Sequence, residues 1–273
     1  MAILKPGAID RRILAGSVIL AAIVAALLYF GVMKPEGDRP QRPVLHIMSS
    51  IPLQWGDATM TQVASGEAQP SPLFEALAEK NRAVVIDDFQ KLDRTDNIPL
   101  LLIQPRALAP RELVQLDEWI GKGGVAIIFA DPVLDWPSEY PLGDRRRPLF
   151  TSLLNPLFGH WGLQLALPTD VASEAQATAA GQYALSTKSA GIWVKGKNAT
   201  PAAQCVIRED ELIAYCSIGK GKALLIADAD ILQDAQWTDS IVSSGTIAWL
   251  NAVISAARTN TSITPALWET RGN

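Results

Sequence analysis

The sequence predicts an α/β domain: a largely parallel sheet flanked by helices, with an antiparallel strand extension. Three observations predict it. Short apolar runs recur along the chain and end in Ser, Asp or Gln-Pro. The runs are apolar throughout rather than alternating, which is how strands covered on both faces read. Stretches with helical spacing lie between them, and alternation of the two kinds is the signature of the class.

Val44–Met48 is the first run and ends at Ser49 and Ser50. Leu73–Lys80 has helical spacing, Ala83–Ile86 ends at Asp87 and Asp88, and Pro99–Ile103 ends at Gln104-Pro105. Pro110–Gly121 is the best-signalled helix. Pro110 suits a first turn, Leu113, Leu116, Trp119 and Ile120 share a face, and glycines follow. Val125–Ala130 ends at Asp131-Pro132, and a polar loop rich in Pro and Gly occupies 135–148. Leu149–Phe158 reads as a helix, and 169–181 carries no clear pattern. Gly191–Lys195, Ala203–Ile207 and Leu212–Ile218 read as antiparallel strands, Lys222–Ala227 as a buried strand ending at Asp228, and Asp239–Ala257 as the last helix.

Ahead of this domain, residues 1–12 form a short tail, expected in the cytoplasm. Ile13–Met33 is uncharged and free of proline. About 20 apolar residues span a hydrocarbon core of ~30 Å, so the run is expected to be a transmembrane helix. Arg11 and Arg12 precede it, and Tyr29 and Phe30 stand near its far end, at interface positions. A cleaved signal would have a shorter apolar core and a small-residue cleavage site. The basic pair favours an inner-membrane, single-pass arrangement with the large C-terminal domain on the periplasmic side. Residues 34–43 read as a linker, 44–257 as the soluble domain, and 258–273 as a polar tail. A net charge of −4 argues against nucleic acid as a partner. Two histidines and two cysteines are too few for a structural zinc cluster.

The candidate chemistry is sparse. Ser49, Ser50, Asp131, Asp228 and Asp230 follow strands expected to be parallel, and carboxyl ends of such strands face the ligand crevice. Converging aspartates there can bind a ligand or a divalent cation through oxygen; equally, aspartate ends strands and caps helices. No metal or other cofactor is expected. Gly121-Lys122-Gly123-Gly124 follows a helix rather than a strand, so it reads as a helix C-cap and not a phosphate loop. No cysteine stands on a strand-to-helix turn with a histidine to activate it. The run Asp144-Arg145-Arg146-Arg147 is either a solvated loop or a contact for lipid phosphate. In a two-residue hairpin centred near Asp210-Glu211, Cys205 and Cys216 fall opposite each other, which predicts a disulfide. A turn shifted by one residue would leave them as free, buried thiols.

Leu100–Pro132, the loop and helix closing on FGHWGLQL, and Gly219–Asp234 followed by a helix containing AWLNAVI together resemble one family. It is the soluble domain of GldG-type auxiliary components of ABC transport systems. The resemblance covers roughly 43–257 and implies a flavodoxin- or class I glutamine amidotransferase-like fold. It also implies a partner that is an integral-membrane transporter or permease subunit, with membrane lipid close by. The expected function is a membrane-anchored, non-enzymatic accessory domain that binds a partner protein or small ligand at the membrane surface. The alternative is a membrane-anchored hydrolase or a metal- or ligand-binding enzyme using an aspartate-lined crevice.

Overall fold

The computed structural model describes residues 42–90, 92, 98–170, 176–208, 211–233 and 240–259. In chain order the elements are β1 (Val44–Ser49), α1 (Met60–Ser65), α2 (Pro72–Lys80), β2 (Arg82–Val85), β3 (Leu100–Ile103), α3 (Pro110–Gly121) and β4 (Val125–Phe129). Then come α4 (Asn155–His160), β5 (Trp161–Ala166), β6 (Gln176–Ala180), β7 (Tyr183–Thr187), β8 (Ile192–Ala199), β9 (Ala203–Ile207), β10 (Ile213–Ile218), β11 (Gly221–Ile226) and α5 (Ser240–Arg258).

A seven-stranded sheet in the order β2-β1-β3-β4-β11-β10-β9 organises the domain. From β2 to β11 neighbouring strands are parallel. β10 and β9 continue the sheet antiparallel. β5 pairs with β8, and β6 with β7, in two further antiparallel sheets. This corrects the expectation of a largely parallel, flavodoxin- or amidotransferase-like sheet. Five strands run parallel and six pair antiparallel, so the architecture is mixed. The physical reason lies in the second half of the chain. Between β4 and β11 the strands β5 to β10 follow one another without the long helical crossover that a parallel return needs.

Among the described residues no helix is long and apolar enough to cross a membrane. Ile13–Met33, on which the expectation of a transmembrane helix fell, lies outside the described residues, as do residues 1–12, 260–273, most of the linker and the Asp210 turn position.

The core is built from the strands read as continuous apolar runs. Every residue of β3 and of β4 is buried. Helix α3 begins at Pro110, and its Glu112 carboxylate accepts from the Ala109 N–H at 2.7 Å. It buries Leu116, Trp119 and Ile120, the face its spacing indicated. Its end is a glycine cap: Gly123 N–H donates to Ile120 and Gly124 N–H to Trp119. Gly221 then starts β11 hard against that end. A Cβ there would stand 1.9 Å from the Ile120 carbonyl oxygen, so only glycine allows the approach. The stretch 219–222 is therefore a packing joint between α3 and β11.

Cys205 and Cys216 face each other across β9 and β10 and form a disulfide, with Cα atoms 4.1 Å apart. The hairpin joining them is longer than two residues, because the last cross-strand bond beyond the Ala214–Ile207 pair runs from Arg208 N–H to the Ile213 carbonyl at 3.1 Å. Other differences concern local signals. Leu149–Phe158 contributes helix only from Asn155, where Pro156 sits in the first turn. The patternless stretch ends in β6, which forms a hairpin with β7.

Candidate functional site

The carboxyl edge of the parallel strands carries two features of opposite character. The first is a cluster of Asp131, Asp228 and Asp230, at the ends of β4 and β11. One ligand oxygen from each lies within 4.8 Å of the others. The three residues are 0%, 0% and 1% exposed, so the cluster is sealed rather than open to a crevice.

Backbone amides explain how it is held. Asp131 accepts from Val133 N–H at 2.8 Å and from Ala229 N–H at 2.9 Å. Asp228 accepts from Ile231 and Lys188 N–H, each at 3.2 Å. Asp230 accepts from Asp135 N–H at 2.9 Å. Five of the six carboxylate oxygens thus take a backbone donor. Each bond joins segments distant in sequence or closes a short turn, as capping aspartates do. Burial, opposed by its backbone hydrogen bonds, pushes the Asp131 carboxyl up to about 6. Burial and then the nearby Asp131 charge push Asp230 up to about 7. Burial, with Asp131 and Asp230 adding to it, raises Asp228 well above the ordinary range. Three carboxylates this close cannot all be ionised cheaply in a dry site, so protons are retained near neutral pH. The oxygens are of the kind a divalent cation takes. Here they clasp the loop after β4, the turn after β11 and the backbone at Lys188.

Gln104 links this cluster to the rest of the edge. It is fully buried at the end of β3 and adopts φ +40°, left-handed backbone that a glutamine enters only under constraint. Its amide oxygen accepts from Asp131 N–H at 2.9 Å, and its NH2 donates to the carbonyls of Leu149 and Asp131 at 2.9 and 3.2 Å. The sequence offered only the Gln-Pro pair as a signal, which marks a strand end but not a strained one. Ser50 donates to the Gln104 carbonyl and accepts from Leu149 N–H. Ser49 accepts from Ile51 N–H at 2.9 Å. Both hydroxyls fix loops, and neither reaches into the aspartate cluster as an attacking group.

The second feature is an open cleft of about 670 Å³ at the ends of β1 and β2. Ser49 lines it, while Asp131, Asp228 and Asp230 do not. One wall is the segment 51–60 leading into α1, and the other is the loop 137–148. The strand order places it beside a topological switch: from β1 the chain moves outward to β2, then returns across β1 to β3. Gly56 shapes the first wall. It has φ +52°, and a Cβ would meet the Gln69 carbonyl oxygen at 2.8 Å. On the second wall the Arg146 guanidinium lies 4.0 Å from the centre of the Tyr140 ring and pairs with Asp144 through two nitrogens at 3.0 and 2.7 Å. Arg147 donates to the Tyr140 carbonyl. Two of the three arginines of the 144–147 run therefore brace this loop.

The two histidines are apart from both features. His46 is 9% exposed within β1, and burial followed by the Arg82 charge lowers its pKa, which keeps it neutral. His160 ends α4, 3.7 Å from the Asp117 carboxylate.

No family model matches the chain, and no curated protein matches it. Solved structures give distant likenesses. The mmIFT52 N-terminal domain is 12% identical, with 81% of this chain and 99% of that one covered at a TM-score of 0.46. The exo-beta-1,4-mannosidase Op5Man5 from Opitutaceae bacterium strain TAV5 is 11% identical, covering 84% of this chain and 36% of that one at 0.40. The GH42 beta-galactosidase Gan42B from G. stearothermophilus, as its E323A mutant, is 14% identical, covering 72% and 30% at 0.41. This chain thus spans about a third of each glycosidase and nearly the whole of the mmIFT52 domain.

Proposed function

We propose that this chain is a non-enzymatic accessory domain of an ABC-type transport system, binding a partner protein or a small ligand at the membrane surface. The observation that supports it most is the identity and engagement of Gln104. A strained residue at a strand-to-helix connection is where hydrolases of α/β type raise a nucleophile. At the strained position here stands an amide side chain, buried and bonded to Asp131 and Leu149. The nearby carboxylates are sealed and hydrogen-bonded to backbone, an arrangement suited to holding loops rather than to meeting a substrate. The exposed groups lie instead around the cleft, as a binding role requires.

The partner in this reading is an integral-membrane transporter or permease subunit, with the domain on the periplasmic side. The Cys205–Cys216 bond is in keeping with an oxidising compartment. The test is capture of the full chain from native membranes in mild detergent after crosslinking, beside assays for hydrolysis of glutamine and nucleotides. Recovery of a polytopic transport subunit, with no turnover, is the expected result. A chain that runs alone, or turnover that disappears in Asp131→Ala, overturns the reading.

A further inference from the structure

We infer that the cleft beside β1 and β2 is a binding site for a small organic cation, an amine carried on an apolar or aromatic body. This rests on the reading of the domain as a binding module and names the ligand class of that module.

Three observations lead there independently. The first is apolar surface that folding leaves uncovered. Of the nine large hydrophobic residues exposed among the described residues, Trp55, Met60 and Val85 line this one cleft. Such residues scattered singly need no explanation, but a group rimming one concavity marks a site.

The second is helix α1. It has a complete capping box at Thr59 and Gln62 and a left-handed Gly66 at its end, yet it buries no residue. Six residues are far below the length at which a helix is stable alone, so the caps hold it in place without a core contact. What it presents to the cleft is Met60, 84% exposed, and Val63. A defined element that adds nothing to the core, with apolar side chains turned to a cavity, is placed to cover an occupant.

The third is charge. Asp57 and Asp87 line the cleft, and neither carboxylate has a hydrogen bond or ion pair among the described residues. Arg106 donates to the Asp87 carbonyl and pairs with Glu112, and the Asp87 and Asp88 charges act on it from further off. Among the described residues the one arginine or lysine lining the cleft is Arg146, and Asp144 pairs with it. The described lining therefore sets two exposed carboxylates against one guanidinium that is already paired. Arg146 over Tyr140 also shows that a cation rests on an aromatic face within this wall, and Trp55 offers a second such face, half exposed. An ammonium group beside Asp57 or Asp87, its body against Trp55, Met60 and Val63, meets both the exposed carboxylates and the uncovered apolar surface.

The test uses three probes of one size on the full chain at neutral pH: phenethylammonium, 2-phenylethanol and 3-phenylpropionate. Affinities are read by calorimetry or ligand-observed NMR. The cation is expected to bind at least about tenfold more tightly than the alcohol, or about 1.4 kcal/mol, and the carboxylate more weakly than either. In the double variant Asp57→Asn, Asp87→Asn the preference should fall to within about twofold while the alcohol keeps its affinity. Trp55→Ala should weaken cation and alcohol together. These residues are exposed, so unchanged melting is the control for folding. The inference is overturned if the alcohol or the carboxylate equals the cation, if the preference survives the double variant, or if no probe binds. Turnover, or failure to capture a transport subunit, would sink the accessory reading and leave this charge preference untouched.

Discussion

The aspartate cluster and the cleft lie along the same edge of one sheet, yet they treat carboxylates in opposite ways. In the cluster three acids are sealed, and backbone amides converge on them. In the cleft Asp57 and Asp87 are exposed, with no side-chain hydrogen bond or close ion pair among the described residues. The difference teaches that position at a strand's carboxyl end does not by itself make an acid functional. An acid whose oxygens are filled by the fold is part of the fold; one left open faces whatever comes from solvent.

The comparison breaks first at Asp131. Asp131→Ala removes the acceptor for two amides, Val133 and Ala229 N–H, in a buried setting. Each orphaned donor costs about 1–3 kcal/mol, so a loss of about 2–5 kcal/mol is expected in urea unfolding. A loss below about 1 kcal/mol would mean that the cluster is not a clasp.

The next effect is on pH. The folded-state values of Asp131 and Asp230, about 6 and about 7, stand above the ordinary carboxylate value of 3.8, and Asp228 is raised as well. Between 3.8 and those values the folded state holds protons that the unfolded chain has released. The cluster's contribution is therefore fully present at pH below 3.8 and is lost as pH rises through about 6 and about 7. The expected decline is on the order of 2–4 kcal/mol, and Asp228→Asn should flatten it. Unfolding curves between acid and mildly alkaline pH measure this, and stability rising with pH over that window would contradict the shared protons.

The smallest effect belongs to the cleft. Trp55→Ala and Met60→Ala remove large side chains that are 49% and 84% exposed. Stability should stay within about 0.5 kcal/mol of the parent chain. A larger loss in chemical denaturation would place these residues with the core and close the gap between the two regions.

Much of the parallel half was legible because its strands must be apolar on both faces. β3 and β4 could be read directly, and α3 carried Pro110 at one end and glycines at the other. The antiparallel half hid itself for the complementary reason. β6 is made of Gln, Ala and Thr and is largely exposed, so it shows neither an apolar run nor clean alternation. α1 buries nothing, and periodicity records burial, so no pattern announced it. In the site, the sequence located Asp131, Asp228 and Asp230 and brought them to one edge, but it could not tell a sealed acid from an open one. That depends on Lys188 and Asp135, whose amides arrive from distant segments. Gln104 was invisible as a strained residue, because strain is a property of the surrounding packing. Trp55 and Asp57 sat in a stretch with no periodicity at all.

The disulfide has a consequence for encounters between molecules. β9 is the last strand of the main sheet, and an unpaired strand edge is a template on which another chain can add. Cys205 lies on that strand, bonded to its neighbour, so β9 cannot slide by a residue or peel away to recruit a foreign strand. Lys195 of β8 donates to the Cys205 carbonyl and sets a positive charge against that rim. A crosslink near the end of the sheet and a lysine over it together make the border of the domain a poor seed for fibres, even in a crowded film of identical molecules.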